Sequence, residues 1–123
     1  MGRKPALWEA PELKELVAEL ALRLKDSRFA HTLSVAYTAG NLAAVHGLPI
    51  QKAIRAGLLH DIAKPLSGEE LLYYCLNKEL PVSDAERRAL YLLHGKAGAK
   101  IAEEEFGETD PEILSAITWH TTG

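Results

Sequence analysis

The stretch Gly57-Leu58-Leu59-His60-Asp61-Ile62-Ala63-Lys64 decides how this chain is interpreted. It leads from an apolar helical segment into an adjacent His-Asp pair, and a lysine follows one turn later. Imidazole and carboxylate groups together suit a divalent or trivalent metal ion that activates water. An isolated His-Asp dipeptide carries little information, but three further histidines stand here on separate predicted helices: His31, His94 and His120.

Length and composition indicate an ordinary globular protein. The chain has 123 residues, of which 47% are hydrophobic and 25% are charged. These values are typical of one soluble domain, which we expect to comprise residues 1–123. The net charge is −3, so the chain lacks the basic balance that is typical of nucleic-acid-binding proteins.

Several other classes are excluded by what the sequence lacks. No apolar stretch approaches the roughly 20 residues that a membrane-spanning helix needs. The basic start at Met1 has no apolar run behind it, so we expect no secretory signal. Cys75 is the only cysteine, which rules out an internal disulfide and a thiolate zinc cage. We therefore expect a cytoplasmic protein that binds neither membrane nor nucleic acid.

The residue pattern predicts helices throughout, and no alternating strand pattern competes with them. Asp26 and Ser27 are candidate caps of a second helix, expected over about residues 28–46. A third helix is expected to continue through Ile62 until Pro65 ends it. Further start and stop signals are Pro11, Gly47, Pro49, Gly107 and the pair Asp110-Pro111.

Two capping boxes mark later helix starts. Ser67 with Glu70 opens one helix, and Ser83 with Glu86 opens another that is expected to run through residues 90–93. A further helix is expected over about residues 95–106. Together these signals predict an all-α bundle of about seven helices.

Histidines on separate helices can converge, since side chains that project inward from facing helices are how bundles build metal sites. Successive positions on a helix differ by about 100°, so His60 and Asp61 reach one ion only if it lies near a helix end. Each residue also has an ordinary interpretation. His94 can be a terminal histidine that interacts with a helix dipole, His120 a surface residue, and Lys64 a solvated charge.

Two other basic residues are weighed in the same way. Arg28 is most simply a surface charge at a helix start. His46 precedes Gly47 at a helix C-terminus, where an imidazolium is favoured, and we assign it no chemistry.

Taken together, these motifs resemble the HD-domain metal-dependent phosphohydrolases. Within that superfamily they are most similar to the YqeK-type symmetrical bis(5′-nucleosyl)-tetraphosphatases, which hydrolyse diadenosine tetraphosphate. The His-Asp pair alone indicates only the superfamily, whereas the Arg-x-x-His opening and the closing His-Thr-Thr-Gly are typical of this branch. The resemblance is carried by residues 28–31, 56–64, 93–99 and 116–123.

The resemblance implies an HD-domain bundle that cleaves a dinucleoside tetraphosphate at its middle to two nucleoside diphosphates, such as ADP. It implies an iron ion, in a one- or two-iron centre, and Mn or Mg are other ions that such ligands suit. The implied metal ligands are His31, His60 and Asp61. Catalytic roles are implied for Asp61, Lys64, His94 and His120. Substrate phosphates would be contacted by Arg28, Lys64, His94, His120 and Thr121.

These implied roles form a coherent reaction. The positive charges of Arg28 and Lys64 would neutralise the transferring phosphoryl group, while metal-activated water attacks phosphorus. His94 and His120 would orient the phosphate or protonate the leaving group.

One departure from the family pattern leaves alternatives open. The family continues with an Ala-Asp-x-Ile-Glu-Pro-like segment, whose aspartate completes the metal site, so a domain truncated after Gly123 is expected. One alternative is an HD-type phosphohydrolase of another nucleotide, such as a nucleoside monophosphate or an alarmone. Another is an inactive domain that binds a nucleotide or a partner helix. We also expect a homodimer, because a truncated bundle would expose an apolar face of its last helix.

Overall fold

The chain forms helices joined by short turns. The computed structural model describes the backbone of residues 11–120 and the side chains of 13–120. Over this range there are seven α-helices, one 3₁₀ helix (Leu90–Leu93) and no β-strand, so the all-α prediction is confirmed. The helices are α1 (Pro11–Arg23), α2 (Asp26–Val45), α3 (Ile50–Leu59), α4 (Gly68–Asn77), α5 (Asp84–Arg88), α6 (His94–Glu105) and α7 (Pro111–Trp119).

The chain divides into an N-terminal unit, residues 1–58, and a C-terminal unit, residues 59–123. The first contains α1, α2 and all but the last residue of α3, and the second contains α4 to α7. No helix between residues 11 and 120 is long and apolar enough to cross a membrane.

Apolar spacing organises the N-terminal unit. Four leucines that recur every three or four residues along and just after α1 are buried, namely Leu13, Leu16, Leu20 and Leu24. Helices α2 and α3 approach each other closely at Gly57. A Cβ atom there would lie 2.7 Å from the Cα atom of Ala36, so this approach requires a glycine.

Helix α2 begins earlier than predicted. Its N-cap residue is Lys25, which makes no side-chain capping bond, and Asp26 already lies in the first turn. The predicted capping role of Asp26 and Ser27 is therefore wrong, although a carboxylate in the first turn still favours the helix dipole. The predicted stop is confirmed. Gly47 has φ +69°, and the amide of Leu48 donates to the carbonyl of Ala43 at 2.8 Å.

Helix α3 ends at Leu59, three residues before the predicted Ile62. After Leu59 the chain forms a series of tight turns, in which the hydrogen bonds join an amide to the carbonyl three residues earlier. The amide of Ile62 donates to Leu59, that of Lys64 to Asp61, and that of Leu66 to Ala63. Pro65 has no amide hydrogen and disfavours a helical residue before it, so the helix cannot resume here.

Both predicted capping boxes are present in the C-terminal unit, at Ser67 with Glu70 and at Ser83 with Glu86. The helix opened by Ser83 is shorter than predicted, because the backbone leaves helical geometry at Ala89. A 3₁₀ helix follows and packs its first residue, Leu90, against the start of α4 at Gly68.

The last connection follows the sequence prediction. Gly107, two residues after the end of α6, has φ +67°, and the amide of Glu108 donates to the carbonyl of Ala102. Asp110 caps α7 by accepting a bond from the amide of Glu112 at 2.9 Å, with Pro111 as the first helical residue. These local signals set the lengths of α6 and α7, whose ends carry His94 and His120.

Candidate metal centre

His60 and Asp61 lie in the tight turn that follows α3. The Nε2 atom of His60 is 3.3 Å from Oδ2 of Asp61, so neighbouring residues direct their side chains to the same place. Two adjacent side chains can meet in this way only beyond the end of a helix, because successive residues within a helix are rotated by about 100°. Asp61 is 5% exposed and His60 is half-buried.

The ends of two other helices bring a second pair of side chains together. His94 is the first residue of α6, and His120 follows the last residue of α7. Their Nε2 atoms are 3.0 Å apart, with the rings edge to face. His94 lies at the positive end of its helix dipole, which disfavours a charged imidazole there, so the dipole interpretation of His94 does not hold.

The other nitrogen of each ring is bonded to the backbone. Nδ1 of His94 lies 2.5 Å from the carbonyl oxygen of Tyr91, and Nδ1 of His120 lies 2.6 Å from that of Ile117. A carbonyl only accepts, so each Nδ1 carries the proton and donates. In the neutral rings both Nε2 atoms then present a lone pair. Two lone pairs that face each other at 3.0 Å call for a cation or a shared proton between them.

Asp61 supplies a negative charge at the same point. Its Oδ1 atom is 3.4 Å from Nε2 of His120 and 3.8 Å from Nε2 of His94. All these separations are below about 4.2 Å, twice a typical ligand bond length, so one ion could contact all three atoms. Backbone carbonyls that hold the far nitrogens are the usual outer partners of metal-binding histidines. The residues present therefore fit a divalent metal ion.

Protonation states in this cluster favour metal binding. Burial by itself would raise the pKa of Asp61, but the neighbouring His120 and His60 hold it well below its usual range. Burial lowers the pKa of His94, despite the favourable bond to Tyr91. The carboxyl group is therefore ionised and His94 neutral near pH 7, which are the forms that bind metal.

The remaining predicted site residues lie at different places in the chain. Lys64 is exposed in the turn after Asp61. Arg28 and His31 belong to α2 in the N-terminal unit, the first half-buried and the second exposed. Thr121 lies outside the described residues. His46, to which we assigned no chemistry, is exposed at the C-cap of α2.

The sequence makes four histidines candidates for a metal site, and the family resemblance assigns two of them, His94 and His120, to the substrate phosphates. The structure brings their lone pairs to Asp61, so the two histidines suit metal as well as phosphate. No sequence spacing reveals this pairing, since it depends on how α6 and α7 cross. The only hint in the sequence is Gly95 next to His94, since a glycine allows two helices to approach each other closely.

Comparison with known families and structures gives consistent results. The family model described as HD domain matches residues 28–123. A solved structure described as a predicted HD superfamily hydrolase involved in NAD metabolism, from Clostridium acetobutylicum, is similar with a TM-score of 0.85 and 39% identity. The match covers 89% of this chain and 58% of that one.

Curated relatives carry a more specific name. Proteins named symmetrical bis(5′-nucleosyl)-tetraphosphatase from Halalkalibacterium halodurans and Staphylococcus aureus are each 37% identical to this chain, over 100 and 101 residues. The matches cover 81% and 82% of this chain, but 53% and 52% of the relatives. The chain thus spans about half the length of these relatives.

Proposed function

This chain belongs to the HD domain family, and from that premise we propose that it is a metal-dependent phosphohydrolase of dinucleoside tetraphosphates. It would cleave a substrate such as diadenosine tetraphosphate symmetrically into two nucleoside diphosphates, in keeping with the names of its relatives. The observation that carries the proposal is the convergence of the Asp61 carboxylate with the Nε2 atoms of His94 and His120. Location in the cytoplasm and a homodimer are proposed with it on sequence grounds.

The proposed metal is iron, in a one- or two-iron centre, with Mn or Mg as other ions that the ligands accept. Asp61, His94 and His120 would hold one ion. On the sequence argument and the family resemblance, His31 and His60 are proposed as further ligands. When bound, such an ion supplies Lewis-acid activation of water and phosphate.

The chain's own residues have separate tasks. Lys64 is exposed three residues after Asp61, and we propose that its ammonium group neutralises phosphate charge. We propose the same role for Arg28. Thr121 is proposed as a further phosphate contact. In the reaction, the water oxygen bonds to one of the two central phosphorus atoms, and the bond from that phosphorus to the central bridging oxygen breaks. The bridging oxygen keeps the electron pair and leaves as part of the second nucleoside diphosphate, while the water protons pass to that oxygen or to solvent. The geometry favours metal ligation for His94 and His120 over the phosphate contact expected from the resemblance.

The direct test combines metal analysis with product analysis. Protein prepared under anaerobic conditions with Fe²⁺ or Mn²⁺ is expected to retain metal and to convert diadenosine tetraphosphate to ADP alone. Formation of ATP and AMP would contradict symmetrical cleavage. Turnover only of nucleoside monophosphates or an alarmone would establish a different HD-type phosphohydrolase. Failure to bind any divalent metal would overturn the proposal and leave the binding-domain alternative.

The substitution Asp61→Asn tests the cluster itself. It keeps the shape of the side chain but removes the charge that divalent ions require. We expect metal affinity and turnover to fall by more than about 100-fold, beyond the usual effect of losing an outer partner. Metal titration and steady-state kinetics measure both quantities. The matched control is Asp84→Asn, an exposed carboxylate in the first turn of α5, which should change neither. Equal metal affinity in Asp61→Asn and wild type would exclude this residue as a ligand.

A further inference from the structure

We propose that Gly95 is a positioning residue that sets the separation between His94 and His120 and thereby allows the metal centre to form. The inference rests on the proposed metal function, because it concerns the ligands of that centre. It explains why two histidines that are far apart in the sequence lie close enough for both to bind one ion. Gly95 itself contacts no metal or substrate in this proposal.

The close approach of α6 to α7 occurs at Gly95. This residue is buried, and a Cβ atom built on it would lie 2.4 Å from the carbonyl oxygen of Thr118. It would also lie 3.2 Å from the carbonyl oxygen of Ile117. Any side chain at position 95 would thus press on the last turn of α7, which leads directly into His120.

One of these two carbonyl groups also orients a proposed ligand. The carbonyl oxygen of Ile117 accepts the Nδ1 proton of His120, at 2.6 Å. On the other helix, His94 is the residue immediately before Gly95 and is held by the carbonyl of Tyr91. A Cβ atom at position 95 would therefore press on the carbonyl group that orients His120, and it would belong to the residue next to His94.

The clash cannot be relieved by rotating a side chain, because the groups in contact are backbone. Real Cβ atoms essentially never approach a heavy atom within 3.0 Å, so an alanine at position 95 requires the backbone of α6 or α7 to shift at this point. Ligand sites tolerate displacements of only about 0.5 Å. The 3.0 Å separation of the two Nε2 atoms would be lost.

Gly98 provides a matched control on the same helix, about one turn further along. A Cβ atom there would lie 3.3 Å from Cγ2 of Ile117 and 3.5 Å from Cγ2 of Ile62, which are side-chain methyl groups and not backbone atoms. The substitution Gly98→Ala should therefore be accommodated by small side-chain movements. Both variants add one methyl group to α6, so they differ mainly in what that group meets.

The test measures Co²⁺ affinity from the visible absorption of the bound ion, together with urea unfolding of the metal-free protein. Gly95→Ala is expected to weaken Co²⁺ binding by about 10- to 100-fold, as for loss of an outer partner of a metal ligand, and to alter the absorption band. Gly98→Ala should bind Co²⁺ like the wild type. A purely structural role would lower the stability of metal-free Gly95→Ala but leave the Co²⁺ affinity and spectrum of the folded variant unchanged, and that result would overturn the inference.

Crystal structures of the metal-free wild type and Gly95→Ala separate this inference from the proposed function. An increased Nε2 separation in the variant supports a positioning role even if the wild type binds no metal, in which case only the function fails. An unchanged separation overturns the inference.

If Gly95→Ala does not unfold cooperatively, Gly98→Val takes its place, because its larger side chain should force the same helices apart. Wild-type Co²⁺ affinity in Gly98→Val would then contradict the inference.

Discussion

At the scale of single residues, the chemistry of the cluster depends on burial and on the backbone bonds to the histidines. The carbonyls of Tyr91 and Ile117 hold the Nδ1 protons, which leaves the Nε2 atoms of His94 and His120 as acceptors. The lowered pKa of Asp61 requires a donating imidazole or a cation beside the carboxylate, because imidazole lone pairs alone cannot stabilise its charge. Three acceptors packed together, two of them buried, are unfavourable without a positive charge, so this arrangement favours the binding of a cation.

The lowered pKa of His94 predicts how stability depends on pH in metal-free protein. In the unfolded chain His94 takes up a proton below about pH 6.5, whereas burial makes the folded state resist it. The unfolded state therefore binds more protons as the pH falls through that value, and the free energy of unfolding decreases. Urea unfolding at about pH 8 and about pH 5.5, in the presence of a chelator, measures this decrease.

The variant His94→Gln isolates this contribution. Its free energy of unfolding should fall less between the two pH values than that of the wild type. His46→Gln, which changes an exposed histidine at the C-cap of α2, should retain the wild-type dependence. The interpretation of His94 is wrong if His94→Gln and the wild type show the same decrease.

At the scale of helices, the two capping boxes differ in one contact. In each box a glutamate accepts a bond from the serine amide at 2.8 Å. Glu86 also accepts from Nζ of Lys96 at 2.9 Å, which joins the start of α5 to α6. Burial opposes the lowered pKa of Glu86, but the bonds from Ser83 and Lys96 outweigh it.

This difference predicts unequal effects of the same substitution. Glu86→Gln should lower the free energy of unfolding by about 1 kcal/mol, since it removes the charge from a partly exposed ion pair. Glu70→Gln should lower it by less, because Glu70 makes the same capping bonds but shows no ion pair with a lysine or arginine among residues 13–120. Urea unfolding at low and high salt measures both, and the effect of Glu86→Gln should shrink at high salt. Equal effects of the two substitutions would show that the bond to Lys96 adds no stability.

At the scale of the whole molecule, an exposed apolar patch lies at the end of α7. Trp119 is 63% exposed and borders a cavity of about 440 Å³, whose lining also includes Leu80, Ala99 and Leu114. Exposed apolar surface of this kind is typical of protein contacts, in line with the homodimer expected from the sequence.

A charge at position 119 tests that expectation. The wild type should sediment as a dimer, and Trp119→Glu should shift it towards the monomer because a carboxylate cannot be buried unpaired in an apolar contact. Tyr73→Glu is the matched control, since Tyr73 is also exposed, at 70%, but lies on α4. Analytical ultracentrifugation measures both variants, and a dimer that persists in Trp119→Glu would place the interface elsewhere.

The sequence by itself determined the helical class, the capping boxes and the glycine stops, because these depend on contacts between residues a few positions apart. It also singled out the histidines and Asp61 as candidate site residues, which stays a prediction. Boundaries that depend on packing were less predictable: α3 ends early, in tight turns before Pro65, and the helix opened by Ser83 stops at Ala89.

Only the tertiary structure decided that His94 and His120 point their lone pairs at Asp61. That arrangement arises where α6 meets α7 at Gly95 and where backbone carbonyls select the ring nitrogen that carries the proton. Local residue patterns predict neither the distance between two helices nor which ring nitrogen of a histidine carries the proton. Both follow from packing between segments that are distant in the chain.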